Sequence, residues 1–178
     1  MDFITLAKKR YSVRKFSDRP IEKEKLDLVL KAAQIAPTAC NNQPQRILVL
    51  ENDDVLKKLK TCTQCHFDAP LALLVCYDKE KSWKRSFDGD DSGTVDAGIV
   101  TTQMMLQAVE IGLGTTWVAF FDPKAIRERF RLPPNYVPVA LLPMGYPAED
   151  SVPNPLHEKR EEIEKTVFYN SFQPKQRS

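Results

Sequence analysis

Apolar residues fall at helical spacing in some stretches of the chain and in unbroken blocks in others. Phe3, Leu6 and Ala7 share one face of a helix predicted over 2–10, with Asp2 able to cap it. Leu26, Val29, Leu30 and Ala33 repeat the pattern over 22–35, where Glu22 and Glu24 suit the positive N-terminal end and Pro37 stops the helix. The longest helix is predicted over 94–111. It carries one apolar stripe through Val95, Ile99, Thr102, Leu106 and Val109, and another through Ala97, Val100, Met104 and Ala108. Two stripes imply burial on two sides, against the chain's own core and within a dimer core. Gly112 supplies the left-handed residue that a helix end prefers. Shorter helices are expected over 53–62, capped by Asp53 or Asp54, over 123–130, with Pro123 in its first turn, and over 158–165.

The blocks read as strands. Ile47–Leu50 is a short buried one, and Leu71–Tyr77, apolar on both faces, is central. Thr116–Phe120 and Val137–Met144 complete the set. Residues 79–93 are polar around Trp83 and read as a mobile loop over a site or at a subunit edge. Val167–Phe172 is too apolar and aromatic for a free end and is expected to dock on a sheet edge. The connections are uneven, and no Gly-x-Gly-x-x-Gly turn follows the first strand. That argues against a dinucleotide-binding unit and for an α+β layer with a mixed, mainly antiparallel sheet flanked by helices.

Composition narrows the function classes. A length of 178 residues suits a single domain over 1–178. A net charge of +2 is too small to argue for nucleic acid or an anionic membrane. The longest clean apolar run, Leu71–Cys76, is too short to span a bilayer, and Met1–Ile4 lacks a signal-peptide pattern. The four cysteines therefore read as reduced thiols, and the cytoplasm follows as the expected compartment.

Candidate chemistry centres on Arg10-Tyr11-Ser12-Val13-Arg14. In an extended stretch residues 10, 12 and 14 point the same way, placing two guanidinium groups and a hydroxyl where they could hold a phosphate. The alternative is a solvated basic turn. Residues 37–44, with two prolines, a threonine and two asparagines, form either a plain connection or a loop rich in free donors and acceptors. The chain has only two histidines and no nucleophile elbow, P-loop or paired metal motif, which suits chemistry lent by a cofactor. Cys62-Thr63-Gln64-Cys65-His66 matches a c-type haem attachment pattern and half of a zinc site. Haem attachment normally needs export and zinc needs four ligands, so ordinary helix composition is the expectation.

Arg10–Phe16, Ala36–Pro44, the run from Asp96 through Gly112-Leu113-Gly114-Thr115-Thr116-Trp117, and Gly145-Tyr146-Pro147 occur in an order that resembles the FMN-dependent nitroreductase family over residues 2–172. The resemblance implies an intertwined homodimer with C-terminal strand exchange, the tail at 166–178 docking on the partner. It implies FMN, with Arg10 and Ser12 on the phosphate and Tyr11 beside them. Arg14 would sit at the ribityl chain and N1/O2 edge, Lys159 and Arg160 would return to the phosphate, and Leu113, Gly114 and Thr115 would bring N–H groups toward N5. Pro37, Thr38, Ala39 and Asn41 would touch the partner's cofactor, and Cys62 or Gln64 would lie near the ring. Where the family often has Trp, this chain has Gln45. The implied activity is ping-pong transfer from NAD(P)H to a small-molecule acceptor such as a nitroaromatic, quinone or flavin. A flavin-binding or regulatory module, or a specialised branch (flavin cleavage, reductive dehalogenation), remains the alternative.

Overall fold

Leu71–Asp78 is buried at every position and forms the middle of the sheet, as its two-faced apolar run demands. The structure, a computed structural model, describes residues 2–172. In chain order the elements are α1 (Phe3–Lys9), α2 (Lys23–Gln34), β1 (Gln45–Leu50), α3 (Asp53–Lys60), β2 (Leu71–Asp78), α4 (Gly93–Glu110), β3 (Gly114–Thr115), α5 (Pro123–Arg129), β4 (Tyr136–Gly145) and α6 (Ile163–Thr166). The strand order is β1-β2-β4-β3 with every named pair antiparallel. A single parallel bridge, Ser12 to Thr115, makes the sheet mixed.

Alternation along β2 builds two cores. Leu71, Leu73 and Val75 face α2 and α4, meeting Val29, Ala33, Ala97, Val100, Met104 and Ala108. Ala72, Leu74 and Cys76 face the other way, meeting Leu50, Leu59, Leu141 and Ile126. The two stripes of α4 separate accordingly. Ala97, Val100, Met104 and Ala108 are buried, while Val95 stays 64% and Ile99 37% exposed. Phe3 and Ile4 of α1, a helix that buries nothing, are exposed as well.

Five expectations need correction. β1 starts at Gln45 and is a half-buried edge strand, with Leu48 open to solvent and, among the described residues, no strand paired with its outer side. α3 ends at Lys60 and is capped by Asn52, whose side chain accepts the Val55 N–H, rather than by either aspartate.

The strand expected over 116–120 shrinks to Gly114–Thr115 plus an isolated bridge between Val118 and Leu141. Thr116 N–H donates to the Pro143 carbonyl at 3.2 Å, and Pro143 has no N–H to return, so the ladder breaks there. The helix expected over 158–165 is a 3₁₀ turn, Pro155–His157, followed by the four-residue α6. Arg160 turns its guanidinium back onto the carbonyls of His157 and Lys159, groups a helix would need for its own ladder.

The 79–93 stretch is a braced hairpin. Lys84 bridges Asp91, Arg85 binds Asp88 at 2.8 and 2.7 Å and Asp90 at 3.2 Å, and Gly89 turns at φ +75.

Tyr146 joins the sheet to the start of α2. Its hydroxyl donates to Glu22 Oε2 at 2.5 Å, Arg19 stacks on its ring at 4.0 Å, and Lys25 lies 4.8 Å from the ring centroid while donating to the Ile111 carbonyl. The Tyr146 hydroxyl, backbone N–H and Arg19 together pull the Glu22 carboxyl from its ordinary 4.5 down to about 2. A lowered acid pKa stabilises the fold above the ordinary value and loses that contribution as pH falls toward the folded one. The gap in urea midpoint between wild type and Tyr146→Phe should therefore be full at pH 6 and narrow between about pH 4.5 and 2. A gap constant with pH would show that the hydroxyl does not act through the Glu22 charge.

Candidate anion site and neighbouring loops

The chain leaves α1 at Arg10 with extended backbone, φ −66 and ψ 120. It then runs as an extended strip held at successive points by backbone bonds. Val13 N–H donates to the Thr115 carbonyl at 3.0 Å, and the Thr116 hydroxyl donates to the Val13 carbonyl. Further along the strip Ser17 N–H reaches the Tyr146 carbonyl at 2.9 Å and Ala148 N–H reaches the Lys15 carbonyl at 3.0 Å. Val13 is buried under the strip, so its neighbours at 12 and 14 point out.

Arg10, Ser12 and Arg14 line a cleft of about 320 Å³ together with Asn154, Leu156, His157 and Arg160. The far wall is the 3₁₀ turn. Asn154 caps it by accepting the Leu156 N–H at 2.9 Å, with Pro155 in its first turn. Tyr11 does not line the cleft. Its hydroxyl donates to the Ser151 carbonyl at 3.3 Å and its ring lies edge-on to His157, so it fastens the two walls together. Lys159 is absent from the lining too, because beyond the 3₁₀ turn the backbone is irregular and consecutive side chains diverge.

The electrostatics favour an anion. Among the described residues no carboxylate pairs with Arg10, Arg14 or Arg160, although nine other pairs of lysine or arginine with a carboxylate form. Glu158 stands at the rim beside Lys8 and Arg160. Three guanidinium groups, a hydroxyl and an imidazole around one cleft match a phosphate monoester, each charged hydrogen bond contributing about 1.5–3 kcal/mol. Asn154 and His157 went unread in the sequence, although Asn-Pro before a short turn is a legible capping signature.

Leu113, Gly114 and Thr115 are buried and do not line this cleft. A Cβ on Gly114 would stand 2.4 Å from Val13 Cγ2, so the glycine makes room for the strip. Thr115 has 0% exposure, and its backbone carbonyl holds Val13.

Cys62 is also enclosed, 4% exposed in the second core, with its thiol toward the Lys58 carbonyl and burial raising its pKa. Gln64 is exposed. His66 Nδ1 accepts the Asp68 N–H at 3.0 Å, which places any proton of the neutral ring on Nε2. Among the described residues no group of three or more His, Cys, Asp and Glu side chains is placed to hold a metal.

The 37–44 stretch carries one 3₁₀ turn, Ala39–Asn41, with three non-glycine residues in left-handed conformation: Cys40 at φ 50, Asn41 at φ 54 and Gln43 at φ 49. Pro37 and Asn41 are exposed, and Thr38 and Ala39 half-buried. The Thr38 hydroxyl accepts the Gln43 N–H at 3.0 Å and closes the turn. None of these four lines the arginine cleft.

Comparison with known proteins places this architecture. The family model described as the nitroreductase family matches residues 7–72 and 63–146. A crystal structure of a nitroreductase family protein from Clostridium difficile 630 is 48% identical, with a TM-score of 0.91 over 96% of this chain and 99% of that one. An FMN-dependent nitroreductase from Clostridium difficile R20291 is 32% identical, with a TM-score of 0.79 over 96% of this chain and 100% of that one. A relative from Methanothermobacter thermautotrophicus, whose name pairs NADH dehydrogenase with NAD(P)H nitroreductase, is 31% identical over 157 residues, 84% of this chain and 80% of its own. With an antiparallel sheet between helical layers, a basic strip leading into it and matches of this extent, the chain belongs to the nitroreductase family.

Proposed function

We propose that the protein is an FMN-dependent oxidoreductase that passes electrons from NAD(P)H to a small acceptor, and that it works as a homodimer in the cytoplasm. The observation that carries this reading is the cleft in which Arg10, Ser12, Arg14 and Arg160 converge without a carboxylate among them. FMN, when bound, supplies the hydride-accepting and electron-donating chemistry that no side-chain constellation of this chain provides. Arg10, Arg160 and the Ser12 hydroxyl bind its phosphate. Arg14, exposed on the same cleft, serves the ribityl chain and the N1/O2 edge. Tyr11 fastens the strip to the segment before the far wall through Ser151. A relative from Bacillus subtilis named as an NAD(P)H FMN reductase, 29% identical over 81% of this chain and 65% of its own, supports the choice of cofactor and donor. Nitroaromatics, quinones or flavins are the acceptor class, in a ping-pong cycle.

The described residues, 2–172, form one domain that pairs through the open side of α4. Val95 and Ile99 of α4, and Phe3 and Ile4 of α1, a helix that packs against α4, are exposed apolar side chains that a monomer would leave wet. The tail supports the same reading. Tyr169 is 79% and Phe172 88% exposed, and docking of this tail on a sheet edge of the partner would cover them; residues 173–178 lie outside the described part. All four cysteines are free thiols, as a reducing compartment keeps them.

The purified protein should be yellow or take up added FMN, elute at the mass of a dimer, and bleach on anaerobic addition of NADH or NADPH. Menadione should restore the colour. A colourless protein that ignores FMN would end the reading.

A further inference from the structure

Asp96 stands in the first turn of α4 and is 2% exposed. Its Oδ1 accepts the Ala39 N–H at 2.9 Å and its Oδ2 accepts the Ser92 hydroxyl at 2.9 Å. Among the described residues no Lys, Arg or His pairs with it. A buried carboxylate without a cation is costly unless hydrogen bonds and the helix N-terminus satisfy it, so its placement needs a reason.

The reason is visible in what it grips. Ala39 opens the turn whose Cys40, Asn41 and Gln43 are left-handed, a conformation that surroundings must impose on non-glycine residues. The turn's own bonds run inward: Asn41 N–H to the Thr38 carbonyl, Asn42 N–H to the Ala39 carbonyl, and Gln43 N–H to the Thr38 hydroxyl. Those bonds fix the turn's shape, and the bond to Asp96 ties that shape to the body of the protein. Ser92 closes the 83–92 hairpin, its N–H donating to the Trp83 carbonyl at 3.0 Å. One carboxylate therefore sets two outward segments.

We infer that Asp96 is a positioning residue of the flavin site: it holds the 38–43 turn in the pose in which that turn meets the ring of the FMN bound by the partner. The inference rests on the proposed function and on the turn-to-flavin contact that the family resemblance implies, and it gives that turn a buried anchor beside the exposed bond from Arg46 to the Gln43 carbonyl. Ser92 orients the second oxygen, so its loss acts in the same direction and more weakly.

The test uses the full-length protein stripped of flavin and titrated with FMN, read by flavin fluorescence and by iodide quenching of the bound ring. Asp96→Ala should fold and dimerise, bind FMN about tenfold more weakly, and leave the bound ring more open to iodide. Asp96→Asn should restore both readings, since its carbonyl still accepts from Ala39 and its amide can donate to the Ser92 oxygen. Arg10→Ala is the contrast, weakening binding without opening the ring. If Asp96→Ala does not fold, Ser92→Ala carries the same expectation at smaller size. Wild-type affinity and quenching in Asp96→Ala, or an Asp96→Asn as impaired as the alanine variant, overturns the inference alone. A wild-type chain that binds no FMN overturns the inference and the function together.

Discussion

Replacing Arg10 by Ala should weaken FMN binding by about 10- to 150-fold, the equivalent of one charge-assisted hydrogen bond at about 1.5–3 kcal/mol. Arg10 is half-buried where the strip leaves α1 and has no carboxylate partner among the described residues, so its loss is not cushioned by a second interaction. Arg160→Ala should act in the same direction. Lys159→Ala should leave affinity unchanged, because that side chain stays outside the cleft. Riboflavin gives the internal control: without a phosphate, its affinity should respond little to Arg10→Ala. Fluorescence titration of the flavin-free protein measures all of these. Equal losses for FMN and riboflavin would place Arg10 somewhere other than at the phosphate.

The second large effect lies beneath the strip. Gly114→Ala should destabilise the protein by about 1–3 kcal/mol through overpacking. The new methyl would meet Val13 Cγ2 at 2.4 Å, Val13 Cβ at 2.9 Å and Pro147 Cγ at 3.1 Å, and β3 cannot retreat because Gly114 is paired with Gly145. The contact is specific, so Val13→Ala combined with Gly114→Ala should be less destabilised than the two single variants summed, with a coupling of about 0.5–3 kcal/mol. Urea unfolding reads it. The double variant should also recover FMN affinity lost in Gly114→Ala, since Val13 sits between Ser12 and Arg14. Strict additivity would mean that the glycine is required for some other reason.

Much of this protein is legible in its residue order. The doubly apolar run from Leu71 made β2 central, and one stripe of α4 is buried throughout while the other runs from exposed Val95 and Ile99 to buried Val109. The alternation of Arg10, Ser12 and Arg14 placed three donors on one side of an extended strip. These are local properties, because side-chain direction follows from backbone period alone. Where a local rule met a distant partner, reading failed. Thr116–Phe120 has strand composition, yet the ladder halts at Pro143, more than twenty residues on. Residues 158–165 have a helical charge pattern, yet Arg160 competes for the carbonyls.

Period and composition by themselves determined the layers, the central strand and the strip of donors, since each depends on neighbours a few residues apart. Only the tertiary structure decided that Asn154, His157 and Arg160 close the cleft, that Gly114 serves Val13, that Cys62 is core, and that Asp96 anchors a turn 57 positions away. Those facts depend on contacts between segments far apart in sequence, and close packing, which no single segment encodes, selects among them.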